Sequence, residues 1–306
     1  MKTKKLLALV LAFALVAAIA VPSYAVGREI RIKTADDLRK LSAKCRLDTY
    51  SQGLTAFLDN DISLGNEPFE PFASFSGVFD GRGHTISGVT LATDGAHQGF
   101  FRYIQEGGWV KDLNIEGTVN PSNIRTEVGG LVGTNYGLVE NCSFSGEVHG
   151  LEKVGGIAGY NCGTVRDSSF AGSVAGKRYT GGIAGYSEGL IDGCTNNGDV
   201  NTTIETPPME IDSLSLSDLT DMTVVSADDS STVTDSGGIV GLSTGIVQSC
   251  LNTGTVGYQH YGYNVGGIAG RQSGYINGCE NRGDVRGRKD IGGIVGQMEP
   301  YLSVSE

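Results

Sequence analysis

The feature that most constrains this sequence is a Gly-rich unit that recurs through its second half. The first copy reads Val128-Gly-Gly-Leu-Val-Gly133, then Gly137-Leu-Val-Glu-Asn-Cys142, then Gly146-Glu-Val148. Later copies occupy residues 154–174, 180–200, 236–256 and 265–285, and a sixth begins at residue 291. The first Gly of each pair recurs at steps of 26, 26, 56, 29 and 26 residues, at Gly129, Gly155, Gly181, Gly237, Gly266 and Gly292. A fixed period in the twenties is typical of stacked supersecondary units.

Each unit contains three short apolar runs that are rich in β-branched residues and bounded by Gly. Such runs predict three strands per unit. The turns between the runs are too open for hairpins, so we expect each strand to pair with its equivalent one unit later, about 4.8 Å away. The sequence therefore predicts an all-β fold, a right-handed parallel β-helix (solenoid) of about eight rungs over residues 61–297.

Three columns of equivalent residues are expected to hold this solenoid together. The paired glycines are predicted at corners that need a positive φ or a close backbone approach. A second column carries small thiols, with Ser168 among them, at Cys142, Cys194, Cys250 and Cys279. A third is predicted to form an amide ladder that favours a single register, at Asn196, Asn252 and Asn281. Phe144 and Phe170 hold that third column in the two earlier units.

The six cysteines allow two interpretations. An even number in an exported protein is typical of disulfides. Stacked cysteines on parallel strands point the same way, however, and a disulfide needs a particular Cβ geometry. We therefore favour buried free thiols that behave as small apolar residues. Metal binding is disfavoured because no C-x-x-C pair occurs.

The first 60 residues are predicted to contain an export signal and a cap. Residues 1–25 combine a basic start, an apolar run over residues 6–21 and a small-residue cleavage site at Ser23-Tyr-Ala25, which predicts a signal peptide rather than a membrane anchor. Residues 26–60 are predicted to form a strand and an amphipathic helix that begins after Thr34, with Asp37 completing a capping box. This helix is expected to cover the open end of the first coil.

The 56-residue step contains an acidic insert over residues 201–235. It has no Lys or Arg, and it accounts for much of a net charge of −11, through Glu205, Glu210, Asp212, Asp218, Asp221, Asp228, Asp229 and Asp235. This composition is typical of a solvated insert, which we favour over a binding or processing loop. The tail over residues 298–306 carries no capping helix, so we expect either a fragment of a longer protein, which we favour, or an end that docks on another molecule.

Two motifs resemble those of bacterial secreted proteins with GLUG repeats. One is the repeated Gly-Gly-Ile-Ala-Gly with Gly-x-Ile/Val-x-x-Cys, and the other is Phe75-Ser-Gly-Val-Phe-Asp-Gly-Arg-Gly-His-Thr-Ile86 followed by Gly99-Phe-Phe101. The resemblance covers nearly all of residues 30–297 and implies a parallel β-helix on an exported, often adhesin-like, surface protein. Some relatives are IgA-specific metallopeptidases with H-E-x-x-H. No His of this chain is followed by Glu.

No catalytic, cofactor or metal motif emerges from the residues. Asp80-Gly-Arg-Gly-His84 could be an acid/base pair, but its spacing fits a tight corner at least as well. Nucleic acid is an improbable partner for an exported chain of pI about 4.9. A basic cluster in the last unit is interpreted as a solvated rim, at Arg282, Arg286, Arg288 and Lys289.

The preferred hypothesis is a non-catalytic, exported β-helical module, secreted or at the cell surface, that acts as an adhesin-like binder or stalk. Its partner would be an extended ligand, a glycan or a surface protein, or a downstream domain of its own. One alternative is a carbohydrate-active β-helix enzyme, a lyase or hydrolase, which a tight carboxylate cluster on one face would favour. The other is a structural spacer for a missing domain.

Overall fold

The computed structural model describes residues 27–65, 69–203 and 233–299. The signal peptide predicted over residues 1–25 lies outside these ranges, as do most of the acidic insert and most of the tail. The described residues form an all-β, right-handed parallel β-helix of about nine turns with one short helix. The predicted fold class is confirmed. The number of rungs predicted from the sequence, about eight, is close to the nine turns observed.

Four parallel sheets run along the solenoid, and two of them begin at its amino-terminal end. Sheet A contains β1 (Arg28–Ile32), β2 (Leu54–Leu58), β4 (Val78–Asp80), β7 (Trp109–Lys111), β11 (Leu138–Glu140), β15 (Thr164–Arg166), β19 (Leu190–Asp192), β24 (Ile246–Gln248) and β28 (Tyr275–Asn277). Sheet B contains β3 (Ile62–Ser63), β5 (Thr85–Leu91), β8 (Asn114–Val119), β12 (Ser143–His149), β16 (Ser169–Ala175), β20 (Thr195–Asn196), β21 (Asp199–Val200), β25 (Leu251–Asn252) and β29 (Glu280–Asn281).

The other two sheets begin further along the chain. Sheet C contains β6 (Phe101–Ile104), β10 (Val132–Asn135), β14 (Ala158–Asn161), β18 (Ala184–Ser187), β23 (Val240–Ser243), β27 (Ala269–Gln272) and β31 (Val295–Met298). Sheet D contains β9 (Thr126–Gly129), β13 (Glu152–Gly155), β17 (Arg178–Gly181), β22 (Thr234–Gly237), β26 (Tyr263–Gly266) and β30 (Lys289–Gly292).

A regular coil contains four strands, so the expectation of three is wrong. In the first regular coil the chain passes through β9, β10, β11 and β12, which belong to sheets D, C, A and B. The Gly-Gly segment, expected to be one strand, is divided by a corner at Gly130 and Leu131. A Cβ on Gly130 would lie within 3.0 Å of the Gly156 carbonyl oxygen and the Phe144 ring. The corner therefore depends on a residue without a side chain, while Leu131 is fully buried.

The paired glycines are needed because the backbone of a neighbouring residue approaches them closely, and not because they adopt a positive φ. A Cβ on the first Gly of each pair would lie within 3.0 Å of the carbonyl oxygen three residues later, at Gly129, Gly155, Gly181, Gly237, Gly266 and Gly292. The left-handed backbone occurs instead two residues earlier, where no glycine stands, at Glu127, Lys153, Tyr179, Asp235, Asn264 and Asp290. His97 holds the equivalent position in the coil before, with φ of 59°. We call His97, Glu127, Lys153, Tyr179, Asp235 and Asn264 the bulge column.

The last Gly of the motif is explained by this bulge column. A Cβ on Gly159 would lie within 3.0 Å of the Glu127 backbone, and one on Gly185 would lie as close to the Lys153 backbone. Each bulge therefore packs against a glycine of the next coil. This close contact between sheets D and C brings the bulge side chains beside the outer side chains of sheet C.

The amino-terminal end is covered by α1 (Ala35–Lys44). Thr34 is its N-cap: its hydroxyl accepts a hydrogen bond from Asp37 N, and the Asp37 carboxylate accepts one from Thr34 N, so the capping box is present as expected. Leu38, Leu41 and Cys45 are buried in the core that begins with β1. The helix thus places its apolar face on the first coil, which shields strand groups that would otherwise be exposed.

The Asn column stacks in register inside sheet B. Asn196 pairs with Asn252 and Asn252 with Asn281. Asn196 Nδ2 donates to Asn252 Oδ1, and Asn252 Nδ2 donates to Asn281 Oδ1, both at 2.7 Å, so the three amides form a ladder. In the preceding coils the Phe144 and Phe170 rings stack at 6.3 Å in the same column.

A second polar ladder, not predicted from the sequence, lies at the corner between sheets C and A. Asn135, Asn161 and Ser187 are fully buried there. Asn135 Nδ2 donates to Asn161 Oδ1 at 2.8 Å, and Asn161 Nδ2 donates to Ser187 Oγ at 3.0 Å. Asn135 Oδ1 accepts a hydrogen bond from Gly137 N at 3.1 Å, which fixes the corner. The ladder was missed because each amide stands outside the C-x-N-x-G pattern.

The six cysteines are free thiols. The thiols of Cys142, Cys194, Cys250 and Cys279 each lie within hydrogen-bonding distance of the carbonyl two residues earlier, at 3.1 to 3.5 Å. Ser168 Oγ makes the same contact with Arg166 O at 2.8 Å. Cys142, Cys194 and Cys250 are buried, so the column combines apolar packing with a weak hydrogen bond.

Gly156→Ala tests the corner, and Gly293→Ala is its matched control. The two glycines hold equivalent places in the repeat, but a Cβ on Gly156 would overlap backbone and the Phe170 ring, whereas one on Gly293 meets nothing within 4 Å. We expect Gly156→Ala to reduce the free energy of unfolding by about 3 kcal/mol. Gly293→Ala should change it by less than about 0.5 kcal/mol. Denaturant unfolding followed by circular dichroism measures both, and equal effects would refute the steric account.

Thiol labelling tests the cysteine column. Burial raises the pKa of the Cys142 thiol to about 12, and hydrogen bonding with the Cys194 thiol raises the pKa of Cys250. Both thiols should therefore resist an aromatic disulfide reagent at pH 8 in the native protein and react in guanidinium. Peptide mass spectrometry identifies the labelled sites. A mass showing linked cysteine peptides before labelling would restore the disulfide interpretation.

Candidate functional site

The columns predicted from the sequence lie in the interior or at corners. Gly129 and its equivalents lie at close backbone contacts, while Cys142, Cys194, Cys250, Asn196 and Asn252 are buried. Cys279 and Asn281, in the last described coil, are only partly buried. The structure stacks them but does not bring them together at the surface. A surface site must therefore be built from other residues.

Sheet C carries a row of tyrosines on its outer surface. Tyr103, Thr134, Tyr160 and Tyr186 stand opposite one another in successive coils. The Tyr160 and Tyr186 rings stack with centroids 5.2 Å apart. The row runs along the solenoid axis because in-register pairing repeats each position at strand spacing.

The bulge column lies alongside this row and contacts it in each coil. The His97 ring lies 4.7 Å from the Tyr103 ring, and the Tyr179 ring 6.1 Å from the Tyr186 ring, between centroids. Lys153 Nζ lies 4.5 Å from the centroid of Tyr160, within the range of a cation–π interaction. We call the first four members of each column the tyrosine strip, formed by Tyr103, Thr134, Tyr160 and Tyr186 with His97, Glu127, Lys153 and Tyr179.

Glu127 is the electrostatic centre of the tyrosine strip. Its carboxylate forms ion pairs with His97 and with Lys153, whose Nζ lies 2.8 Å away. It also accepts a hydrogen bond from Thr134 Oγ1 at 2.8 Å. Burial opposes ionisation, but the hydrogen bonds from Lys153 and Thr134 and the charge of His97 outweigh it, so the pKa of Glu127 lies below its ordinary value. A carboxylate held in its ionised form is suited to fixing neighbouring donors rather than to giving up a proton.

The tyrosine hydroxyls are held neutral. Burial and then the charge of Glu127 raise the pKa of Tyr103. Burial, followed by hydrogen bonding with Cys162 and Glu188, raises the pKa of Tyr160. At neutral pH the strip therefore presents aromatic rings whose hydroxyls both donate and accept hydrogen bonds.

The other candidates from the sequence take structural roles. Asp80 pairs with Lys111 at 3.0 Å and accepts a hydrogen bond from Arg82 N at 2.9 Å, within a turn where Arg82 has a positive φ. His84 does not pair with Asp80, since its Nδ1 lies 3.0 Å from Asp61 Oδ1. In the basic cluster, Arg282 pairs with Glu280 and Arg286 with Asp284.

The tyrosine strip was not predicted from the sequence, although a signal was present. Tyr160 and Tyr186 each follow the motif Gly-Gly-Ile-Ala-Gly directly, so they had to share an outer column. Tyr103 follows Gly99-Phe-Phe101-Arg, where the motif has diverged. Glu127 and Lys153 precede the motif at positions whose outward direction depends on their left-handed backbone, a conformation that we expected at glycine.

Within residues 27–65, 69–203 and 233–299, no group of three or more His, Cys, Asp or Glu side chains is arranged to hold a metal ion. Over the same residues, no helix is both long and apolar enough to cross a membrane.

Glu127→Gln should change the pH dependence of stability. Because the pKa of Glu127 is lowered by folding, its stabilising contribution is present above about pH 4.5 and is lost as the pH falls through the folded-state pKa. From pH 6 to pH 3.5 the wild type should thus lose more stability than Glu127→Gln, in denaturant unfolding at each pH. Glu116→Gln, which removes an exposed carboxylate of sheet B, is the control and should follow the wild type. Parallel profiles for all three proteins would refute the role given to Glu127.

Comparison with known proteins places a family motif within this solenoid. The family model of the GLUG motif matches residues 125–148, which run from just before β9 to β12. No solved structure matches the chain.

Two curated proteins match part of the chain. A "Putative Gly-rich membrane protein" of Evansella cellulosilytica is 38% identical over 93 residues, covering 29% of this chain and 11% of that protein. "Halomucin" of Haloquadratum walsbyi is 33% identical over 95 residues, covering 29% of this chain and 1% of that protein. The chain therefore spans only a small part of the relatives it matches. The resemblance seen in the sequence is confirmed: this chain carries the GLUG motif, and it carries it as a coil of a parallel β-helix.

Proposed function

We propose that the chain is an exported β-helical module that acts at the cell surface as a non-catalytic, adhesin-like binder of an extended ligand. The observation that carries this proposal is the tyrosine strip. It places rings and polar groups in line over successive coils, and a ligand with a repeating, extended structure can contact several of them at once. Tyrosine combines a large contact area with a low entropic cost of ordering, which makes it effective at binding surfaces.

The scaffold supports binding because it is rigid before a ligand arrives. Tyr160 and Tyr186 lie on strands that are paired on both sides in sheet C. Lys153 is held by Glu127 as well as by the Tyr160 ring. Residues fixed in this way lose little freedom on binding, which increases affinity for a given contact area.

The charges of the strip favour binding over acid/base chemistry. A general acid needs a carboxyl group whose pKa is raised towards neutrality, whereas the pKa of Glu127 is lowered. The names of the two relatives, a membrane protein and a halomucin, support a place at the cell surface.

Binding with product analysis on the same samples tests the proposal. The purified full-length chain is applied to an array of bacterial and host glycans and matrix proteins, and bound material is examined for cleavage. We expect saturable binding without cleavage. Tyr160→Ala with Tyr186→Ala should weaken binding at least about tenfold. Tyr275→Ala, an exposed tyrosine of sheet A, should leave it unchanged.

Two results would contradict the proposal. Cleaved glycan would identify the chain as a carbohydrate-active enzyme. An absence of binding to every class of ligand would leave the structural spacer. Circular dichroism of each variant shows whether the double substitution has preserved the fold, since both tyrosines are half-buried.

A further inference from the structure

A groove of about 490 Å³ lies beside the tyrosine strip, at the corner between sheets C and A. It crosses three successive coils and is lined by Tyr103, Gln105, Glu106, Tyr136 and Cys162. Tyr103 is the first tyrosine of the strip, so the groove continues the strip around the corner. Its volume falls within the usual range for small-ligand sites.

Two tyrosines and two hydrogen-bonding side chains converge on this groove. Tyr136 is 48% exposed, a large aromatic surface that lies outside the core. Gln105 Nε2 donates to Ser74 Oγ at 2.6 Å, which orients the amide. Glu106 is exposed in the adjoining turn. Rings with a few fixed polar groups are the usual composition of a site for a ligand that has both apolar and hydroxyl surfaces.

The corner that carries the groove is held by the buried amide ladder. Asn135 and Asn161 directly precede Tyr136 and Cys162, and each is fully buried. The bond between Asn135 Nδ2 and Asn161 Oδ1, at 2.8 Å, sets the spacing of the two corners. Tyr136 and Cys162 are therefore presented from rigid backbone even though they lie in turns.

We propose that this groove binds a hexopyranose unit of a neutral glycan, with the tyrosine rings against the apolar faces of the sugar and Gln105 and Glu106 bonded to its hydroxyls. This rests on the proposed function and names the ligand class for one end of the tyrosine strip. A pyranose has apolar C–H faces and a polar edge of hydroxyls, which match rings and an amide–carboxylate pair.

The charge of the surroundings selects a neutral sugar over an acidic one. The charges of Glu127 and Glu188 act on the Tyr136 hydroxyl, and Glu106 adds another carboxylate to the lining. Two cations lie nearby: Lys153 Nζ is paired with Glu127 at 2.8 Å, and Arg102, whose charge acts on Tyr103, donates from Nη2 to Ala96 O at 3.0 Å. A uronate or a sulfate placed in the groove would meet the like charge of Glu106, Glu127 and Glu188, which the two cations offset only in part, and such a contact is costly.

Isothermal titration of the full-length chain with defined oligosaccharides tests the groove. The probes are hexasaccharides of neutral glucans and mannans, hexagalacturonate as the acidic glycan, and chitosan hexamer as the cationic one. We expect binding of a neutral probe, with Tyr136→Ala at least about tenfold weaker and Glu106→Gln several-fold weaker. Tyr136→Phe, which keeps the ring, should lose less than Tyr136→Ala. Tyr275→Ala on sheet A is the matched control and should bind as the wild type does.

The outcomes separate the groove from the proposed function. Neutral-glycan binding could survive Tyr136→Ala and Glu106→Gln but be lost in the double substitution of Tyr160 and Tyr186. That result would refute the groove as the sugar site and leave the proposed binding function in place. Tighter binding of the acidic or the cationic probe would overturn the neutral ligand class. Binding of no glycan, together with binding of a matrix protein on the array, would overturn the groove alone. Binding of nothing would overturn both.

Discussion

The structure depends on the stacking of each strand on its equivalent one coil later, about 4.8 Å away. Every residue then faces the residue that holds the same position in the next coil, so a column must be compatible with itself. Inside, amides and rings satisfy this rule, in Asn196–Asn252–Asn281 and in Phe144–Phe170. Outside, like charges directly opposite each other are destabilising. The outer column of sheet A accordingly alternates in sign, through Asp80, Lys111, Glu140, Arg166 and Asp192.

The tyrosine strip follows from the way in which the corner between sheets D and C is closed. A left-handed residue in sheet D lets the backbone pack against a glycine of the next coil, as Glu127 does against Gly159. The same conformation turns the Glu127 side chain towards the outer surface of sheet C, where Thr134 and Lys153 bind it. A corner that requires glycine for steric reasons thus aligns charged side chains with a row of tyrosines.

Much of the fold could be predicted from the sequence because its determinants repeat. The repeat period predicted parallel pairing of the strands, and Thr34 with Asp37 predicted the helix that caps the first coil. The corner at Gly130 and Leu131 could not be predicted, because a strand and a corner of two residues have the same apolar composition. The positive φ was expected at glycine, the residue with the least steric cost, whereas in sheet D it occurs two residues before the glycine pair, at Glu127 and its equivalents. The groove was out of reach because Tyr103 and Glu106 lie one coil before Tyr136, in a stretch where the motif has diverged.

The motif defines the scaffold and leaves the ligand open for a physical reason. In the copy that the family model matches, Gly129 lies at a close backbone contact, and Leu131 and Cys142 lie in the core. A match to the motif therefore constrains what stacks inside, while the outer columns need only avoid like charges and bulky clashes. Two chains with the same motif can present different surfaces, and similarity over 29% of this chain carries the coil but not the binding specificity. Specificity has to be argued from the side chains that face outward, and here those are Tyr103 and Glu106, which precede the matched residues, and Tyr136, which lies among them.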